Sequence, residues 1–176
     1  ATGPLTGDAS SYGVSVQKGA TLAVEAINAA GGINGRQIVF SMKDDKAAAA
    51  DASTGYDLLY DEGMVIYIGY VTSGYCIAFG QKADNDGLFF ITPSASAADV
   101  IATGDTAFRV CFGDPDQGIL AAEELTKTYT KIGCISDTSD PYSTGIYEAF
   151  DAKMKELGAA FETRTFDADN KKDFSA

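Results

Sequence analysis

One pattern constrains this chain more than any other. Short apolar runs alternate with longer stretches of helical period, separated by polar turns, from one end to the other. Strand-like runs lie at residues 37–42, 64–68, 88–91, 107–112, 132–136 and 160–166, with helical segments between them at about 13–30, 46–62, 74–86, 116–130 and 143–157. Several runs are apolar nearly throughout, as strands covered by helices on both faces should be. Repeated strand–helix alternation predicts an α/β fold with parallel sheets and right-handed crossovers. In the first helix, Val16, Ala20, Ala23, Val24 and Ile27 form one stripe. Ser10 or Ser11 can cap its start, and Gly31-Gly32 stops it with residues that tolerate positive φ.

The chain opens on the turn-rich Ala1-Thr2-Gly3-Pro4-Leu5-Thr6-Gly7, which leads straight into a helix. In a doubly wound fold such a loop follows a strand, so the first strand is expected to lie upstream. Asp169-Asn170-Lys171-Lys172-Asp173 reads as a helix just starting, with more chain expected beyond it. Gly113-Asp114-Pro115-Asp116-Gln117-Gly118 interrupts the alternation. The expected organisation is a partial N-terminal lobe over 1–113, a hinge region at 114–118, and the start of a second lobe over 119–176.

Composition narrows the function. Thirteen basic against 25 acidic residues give a net charge of −12, the wrong sign for phosphate neutralisation. Nucleic acid and anionic membrane surfaces are unfavoured partners, and no run reaches the ~20 apolar residues that span a bilayer. Histidine is absent, which removes the commonest general base and metal ligand. Cys76, Cys111 and Cys134 are too widely spaced for a metal knuckle. Cys111 and Cys134 read as small core residues, whereas Cys76 has no assigned role.

Ligands of open α/β sheets gather at the carboxyl ends of the strands. Two loops there combine hydroxyls with small residues directly before a helix: Gly69-Tyr70-Val71-Thr72-Ser73-Gly74 and Thr92-Pro93-Ser94-Ala95-Ser96-Ala97. N–H groups at a helix start, helped by Thr72, Ser73 or Ser96, suit a carboxylate. Carbonyls of the same loop, with a second hydroxyl, suit an ammonium group. Each hydroxyl alone is better read as a helix cap, and it is the pairing of two such loops that favours a site. Tyr12 could close over the same edge, although alone it reads as a surface tyrosine. The loop Asp137-Thr138-Ser139-Asp140-Pro141-Tyr142 offers carboxylates and a ring from the second lobe. Asp44-Asp45 could hold Mg²⁺ as in a phosphoacceptor domain, but no Lys ends a later strand, and a turn with a helix cap is the favoured reading. Gly31-Gly32-Ile33-Asn34-Gly35 follows a helix rather than a strand and so fails as a dinucleotide loop.

Several of these pieces, in order, resemble periplasmic binding proteins of the leucine/isoleucine/valine type. They are Gly3-Pro4-Leu5-Thr6-Gly7 with Tyr12-Gly13, Gly19 through Ile27-Asn28 into Gly31-Gly32-Ile33-Asn34-Gly35, then Asp44-Asp45, Ile68-Gly69, Thr92-Pro93 with Ser94-Ala95-Ser96, Phe108-Arg109, Asp116-Gln117-Gly118 and Lys172-Asp173-Phe174-Ser175. The resemblance covers the whole chain. It implies two doubly wound lobes of the type I periplasmic-binding-protein fold, joined by a hinge and closing on an amino acid without catalysis. It also implies an extracytoplasmic location, in the periplasm or as a cell-surface lipoprotein, and delivery to a membrane ABC permease. No cofactor or metal is called for. By resemblance, Ser73 with Ser96 would bind the α-carboxylate, and the Ser94 carbonyl with Ser96 the α-ammonium. Tyr12 would line the first lobe and Tyr142 would approach from the second. Family members often carry Ala at the place of Ser94 and Thr at that of Ser96. Thr72 stands where a disulfide-bonded Cys is sometimes found, with Cys76 displaced from it. The alternatives are a sensory domain of the same fold and, further off, an enzyme or phosphoacceptor using Asp44 and Asp45.

Overall fold

In a computed structural model, residues 1–167 are described. The order of elements is β1 (Thr2–Gly3), α1 (Ser10–Ala29), β2 (Lys43–Asp44), α2 (Ala49–Asp61), β3 (Ile66–Ile68), α3 (Ser73–Asn85), β4 (Phe89–Thr92), a 3₁₀ turn (Ala98–Ala102), β5 (Ala107–Arg109), α4 (Asp114–Thr128), β6 (Gly133–Asp137), α5 (Pro141–Glu156) and β7 (Glu162–Phe166). Every strand pair is parallel: β1 with β2, β3 with β4, β4 with β5, and β6 with β7. The predicted α/β architecture is therefore present.

The chain divides into two compact units, Ala1–Ala95 with Ile101–Val110, and Ser96–Val100 with Cys111–Ala176. It passes between them at 95–96, 100–101 and 110–111. Residues 114–118, expected as a hinge, are the first turn of α4, with Pro115 at a position where its missing N–H costs nothing.

The first unit is built on aromatic rings. Tyr67 and Phe90 sit side by side on β3 and β4 with rings 5.6 Å apart, and Tyr56 of α2 meets Tyr67 edge-on at 5.0 Å. All three are fully buried. A buried phenol must find a polar partner. Tyr56 donates to Asp86 Oδ2 (2.8 Å), and the Tyr67 hydroxyl shares a hydrogen bond with Thr2 Oγ1. Burial is the main cause holding both phenols above their ordinary pKa. The second unit centres on Ala122, Phe150 and Met154, with Leu125, Ile132, Cys134 and Phe161 packed around them.

Several expectations need correction. The first strand is not wholly upstream, since Thr2–Gly3 pairs with Lys43–Asp44. The run 37–42 is not a strand, and β2 is confined to Lys43–Asp44. On α1, Val16, Ala20 and Val24 are half-buried, Ala23 and Ile27 are exposed, and only Gly13 is buried. The helix starts at Ser10 after Ala9, with no side-chain cap, so neither Ser10 nor Ser11 caps it. Its end is as expected, with Gly31 and Gly32 at φ +104° and +75° and the Gly32 N–H bonded to the Ile27 carbonyl. The β3–β4–β5 sheet is covered on one face only. Ile66, Phe89 and Phe108 on the other face are exposed, and no helix among the described residues covers them. Cys111 is half-buried, and Cys134, also half-buried, packs at the margin of the second unit's core. The expected C-terminal helix start and the Lys172–Ser175 match lie outside the described residues.

Close packing of α4 on α5 yields a prediction. A Cβ at Gly118 would lie 2.4 Å from the Ile146 carbonyl oxygen, whereas one at Gly19 in α1 would meet nothing within 4 Å. Gly118→Ala should destabilise by about 1–3 kcal/mol. Gly19→Ala should stabilise by about 0.5–1 kcal/mol through helix propensity. Denaturant titration of both variants checks the opposite signs.

Candidate functional site

Parallel pairing sets the site. Ile68 lies opposite Ile91, so β3 and β4 end level and release their loops at one edge. The first loop runs through Tyr70 to Thr72 and becomes α3 at Ser73. The second leaves β4 at Thr92 and continues through Ser94 and Ala95.

Side chains tie these loops together. Thr92 Oγ1 donates to the Tyr70 carbonyl at 2.7 Å and accepts from the Ala95 N–H at 3.1 Å and the Ser94 N–H at 3.4 Å. Ser94 Oγ donates to the Val71 carbonyl at 2.6 Å. Cys76, one turn into α3, is buried and gives its thiol to the same Tyr70 carbonyl at 3.0 Å. That is the place in the fold which sequence could not supply for this cysteine. The Ser94 hydroxyl has thus spent its proton, and towards a ligand it can only accept. An ammonium group can still use it.

The start of α3 faces no capping side chain. Thr72 is the N-cap residue in extended conformation, yet its hydroxyl makes no cap bond. Its Oγ1 is buried and has no hydrogen-bond partner among the described residues. An enclosed hydroxyl left so costs about 1–3 kcal/mol, a debt that an arriving polar group cancels. Ser73 beside it is 5% exposed. The leading N–H groups of α3 have no carbonyl ahead of them within the helix and carry its positive dipole end. Small anions suit such an end.

Tyr12 is not in the loop before α1 but within its first turn, and it is exposed. In the second unit, Ser96 is buried and its carbonyl accepts from the Asp114 N–H at 2.9 Å. Tyr142 lies in the first turn of α5, its N–H bonded to Asp140 Oδ1 at 3.2 Å, with its ring partly exposed. The carboxylates of that loop serve the backbone. Asp137 accepts from the Ser139 N–H (2.9 Å) and hydroxyl (2.6 Å), and Asp140 caps α5.

Asp44 and Asp45 are likewise committed. Asp44 accepts from the N–H groups of Leu5 (2.8 Å), Thr6 (3.3 Å) and Lys46 (2.9 Å) and from the Thr6 hydroxyl (2.7 Å). Desolvation pulls its pKa upward, but these bonds outweigh it and hold the carboxyl below its ordinary value. Asp45 is buried, accepts the Ala47 N–H at 3.0 Å, and has no partner for Oδ2 among the described residues. Burial raises its pKa, helped by the charges of Asp44 and Asp51. The pair braces the β1 and β2 loops, and α2 begins later, after Ala48. No metal-holding group of His, Cys, Asp or Glu occurs among the described residues. No helix among them is long and apolar enough to cross a membrane.

Comparison with known proteins places these features. A family model described as "Periplasmic binding protein" matches residues 1–176. Among curated relatives, Leu/Ile/Val-binding protein homolog 3 of Brucella melitensis is 31% identical over 98% of this chain and 48% of its own length. An amino acid binding protein of Pseudomonas aeruginosa is 33% identical over 89% of this chain and 42% of its own. Among solved structures, the branched-chain amino acid transporter substrate binding protein LivJ of Streptococcus pneumoniae, crystallised with isoleucine, superposes with a TM-score of 0.88 at 31% identity, covering 99% of this chain and 50% of that one. The chain spans about half the length of the relatives it matches.

A pH prediction follows from Asp45. Between the ordinary value of 3.8 and its raised folded value, the native state holds the proton more tightly than the unfolded chain. This contribution to stability is therefore present at low pH and is lost as pH rises through the folded pKa. Asp44 acts in a lower window, its contribution lost only as pH falls below 3.8 towards its depressed folded value. Asp45→Asn should remove the first slope, so its denaturation midpoint relative to wild type should rise as pH is raised from 3.8 through the raised folded pKa of Asp45. Midpoints measured across that range check the sign.

Proposed function

For a chain that belongs to the periplasmic binding protein family, we propose that the two tied loops hold the α-carboxylate and α-ammonium groups of a free amino acid, with a branched aliphatic side chain. The observation that carries this reading is the start of α3, where the enclosed, unpartnered Thr72 hydroxyl lies beside Ser73 and the leading N–H groups of the helix. The carboxylate is assigned to that helix end and to Ser73. The ammonium is assigned to the neighbouring loop, which offers the acceptor oxygen of Ser94 and the carbonyls of Ser94 and Ala95. For Ser96, Tyr12 and Tyr142 a ligand role rests on the family resemblance alone. The aliphatic side chain is favoured by the isoleucine in the Streptococcus pneumoniae complex and by the names of the Brucella relatives.

The same reading makes the protein an extracytoplasmic receptor that binds its ligand unchanged and hands it to an ABC permease. Both loops recognise groups common to all amino acids. Selection among side chains falls to other surfaces of the site. An α-keto acid, which lacks the ammonium group, should therefore bind much more weakly than its amino acid.

Calorimetry of the protein at its natural full length, titrated with leucine, isoleucine and valine and with the matching α-keto acids, tests the reading. A hydrogen bond to a charged group contributes about 1.5–3 kcal/mol, so Ser73→Ala should weaken binding roughly 10- to 150-fold. The absence of heat with every amino acid would sink the proposal.

A further inference from the structure

We infer that Thr92 is a positioning residue for this site: one enclosed hydroxyl sets both ligand loops at once, so that neither can adjust without the other. The inference rests on the amino-acid reading above. Thr92 ends β4 and is fully buried. A hydroxyl has one proton and two lone pairs. Here the proton goes to the Tyr70 carbonyl, at the start of the loop that leads into α3, and the lone pairs meet the Ala95 and Ser94 N–H groups of the other loop. Nothing remains for a ligand. Thr92 acts through the backbone it holds, and its influence reaches the ligand by fixing where the Ser94 and Ala95 carbonyls and the α3 start lie.

Three features make this more than an ordinary strand-end contact. The tie spans 22 residues of sequence and joins the two segments assigned to opposite ends of the ligand. A second hydroxyl, Ser94 Oγ, reaches the next carbonyl of the first loop, Val71, so consecutive carbonyls of one loop are held by two side chains of the other. The remaining donor to the Tyr70 carbonyl, Cys76, is a thiol and a weak one. Without the Thr92 hydroxyl, the Tyr70 carbonyl would keep only that thiol, and the first loop's side-chain tie to the second would be the Ser94–Val71 bond alone.

Valine has the shape of threonine without the hydroxyl, and serine keeps the hydroxyl without the methyl group. The pair separates bonding from packing. In the full-length protein, Thr92→Val should weaken amino-acid binding by at least about tenfold, whereas Thr92→Ser should stay within about threefold of wild type even where its melting temperature falls further. Ser94→Ala, the milder probe, should give an intermediate loss. Amide hydrogen exchange on the ligand-free protein supplies a second readout: Thr92→Val should speed exchange in both loops together, and Thr92→Ser should not. Equal losses of affinity in the Val and Ser variants, an unaltered affinity in Thr92→Val, or faster exchange in one loop only would each overturn the inference. A wild type that binds no amino acid, while Thr92→Val still loosens both loops, would remove the amino-acid reading and leave the coupling of the loops standing.

Discussion

The arrangement depends on the parallel pairing of β3 with β4. Parallel strands end on the same side of a sheet, and the register that sets Ile68 against Ile91 brings both ends to one level. Two loops then emerge together, and the helix after the first presents its N-terminal end at that edge. A slip of one residue would turn either Tyr67 or Phe90 to the opposite face, separating the two rings, and carry Thr92 away from the Tyr70 carbonyl. The aromatic core and the candidate site thus share one register and would be lost together.

The polar groups inside the first unit follow from the same economy. Its core includes phenols among the aliphatic chains, and two of those phenols find a polar partner at depth. Tyr56 finds Asp86 across from α2, and Tyr67 finds Thr2 on the neighbouring strand. These bonds link elements whose side chains would otherwise only touch. The carboxylates at the β2 end accept from the backbone around them. Asp44 alone gathers three N–H groups and a hydroxyl, leaving its oxygens committed to the loop that begins the chain.

The order of strands and helices was legible because apolar period depends on local sequence, and each later strand begins within two residues of the start of its apolar run, although β5 stops three residues early. The first elements were not, since a strand requires a partner. Residues 37–42 have the composition of one, but pairing reaches only Lys43 and Asp44. The α1 stripe was legible as a stripe, yet its burial is set by what lies beneath it. At the site, the two hydroxyl loops were visible as composition. The direction of each hydroxyl was not. Ser94 read as an acceptor through its carbonyl, and its hydroxyl turns out to give its proton to Val71. Thr92 read as one hydroxyl of the second loop, without its particular role, because a bond to a carbonyl 22 residues away leaves no local trace. Cys76 had no place in sequence for the same reason, its acceptor being fixed by how the loop folds back on the helix.

The tyrosine cluster has an optical consequence. From Tyr60 through Tyr56 and Tyr67 to Tyr70, neighbouring rings lie 5.0–6.3 Å apart, and the last of them sits in the loop that starts α3. The sequence holds nine tyrosines and no tryptophan. The ultraviolet emission of these 176 residues is therefore phenolic, and closely spaced phenols pass excitation among themselves. A single indole introduced next to that loop would have no other indole within this stretch to compete with. It would collect the energy of the whole ladder and report the state of the loop from within.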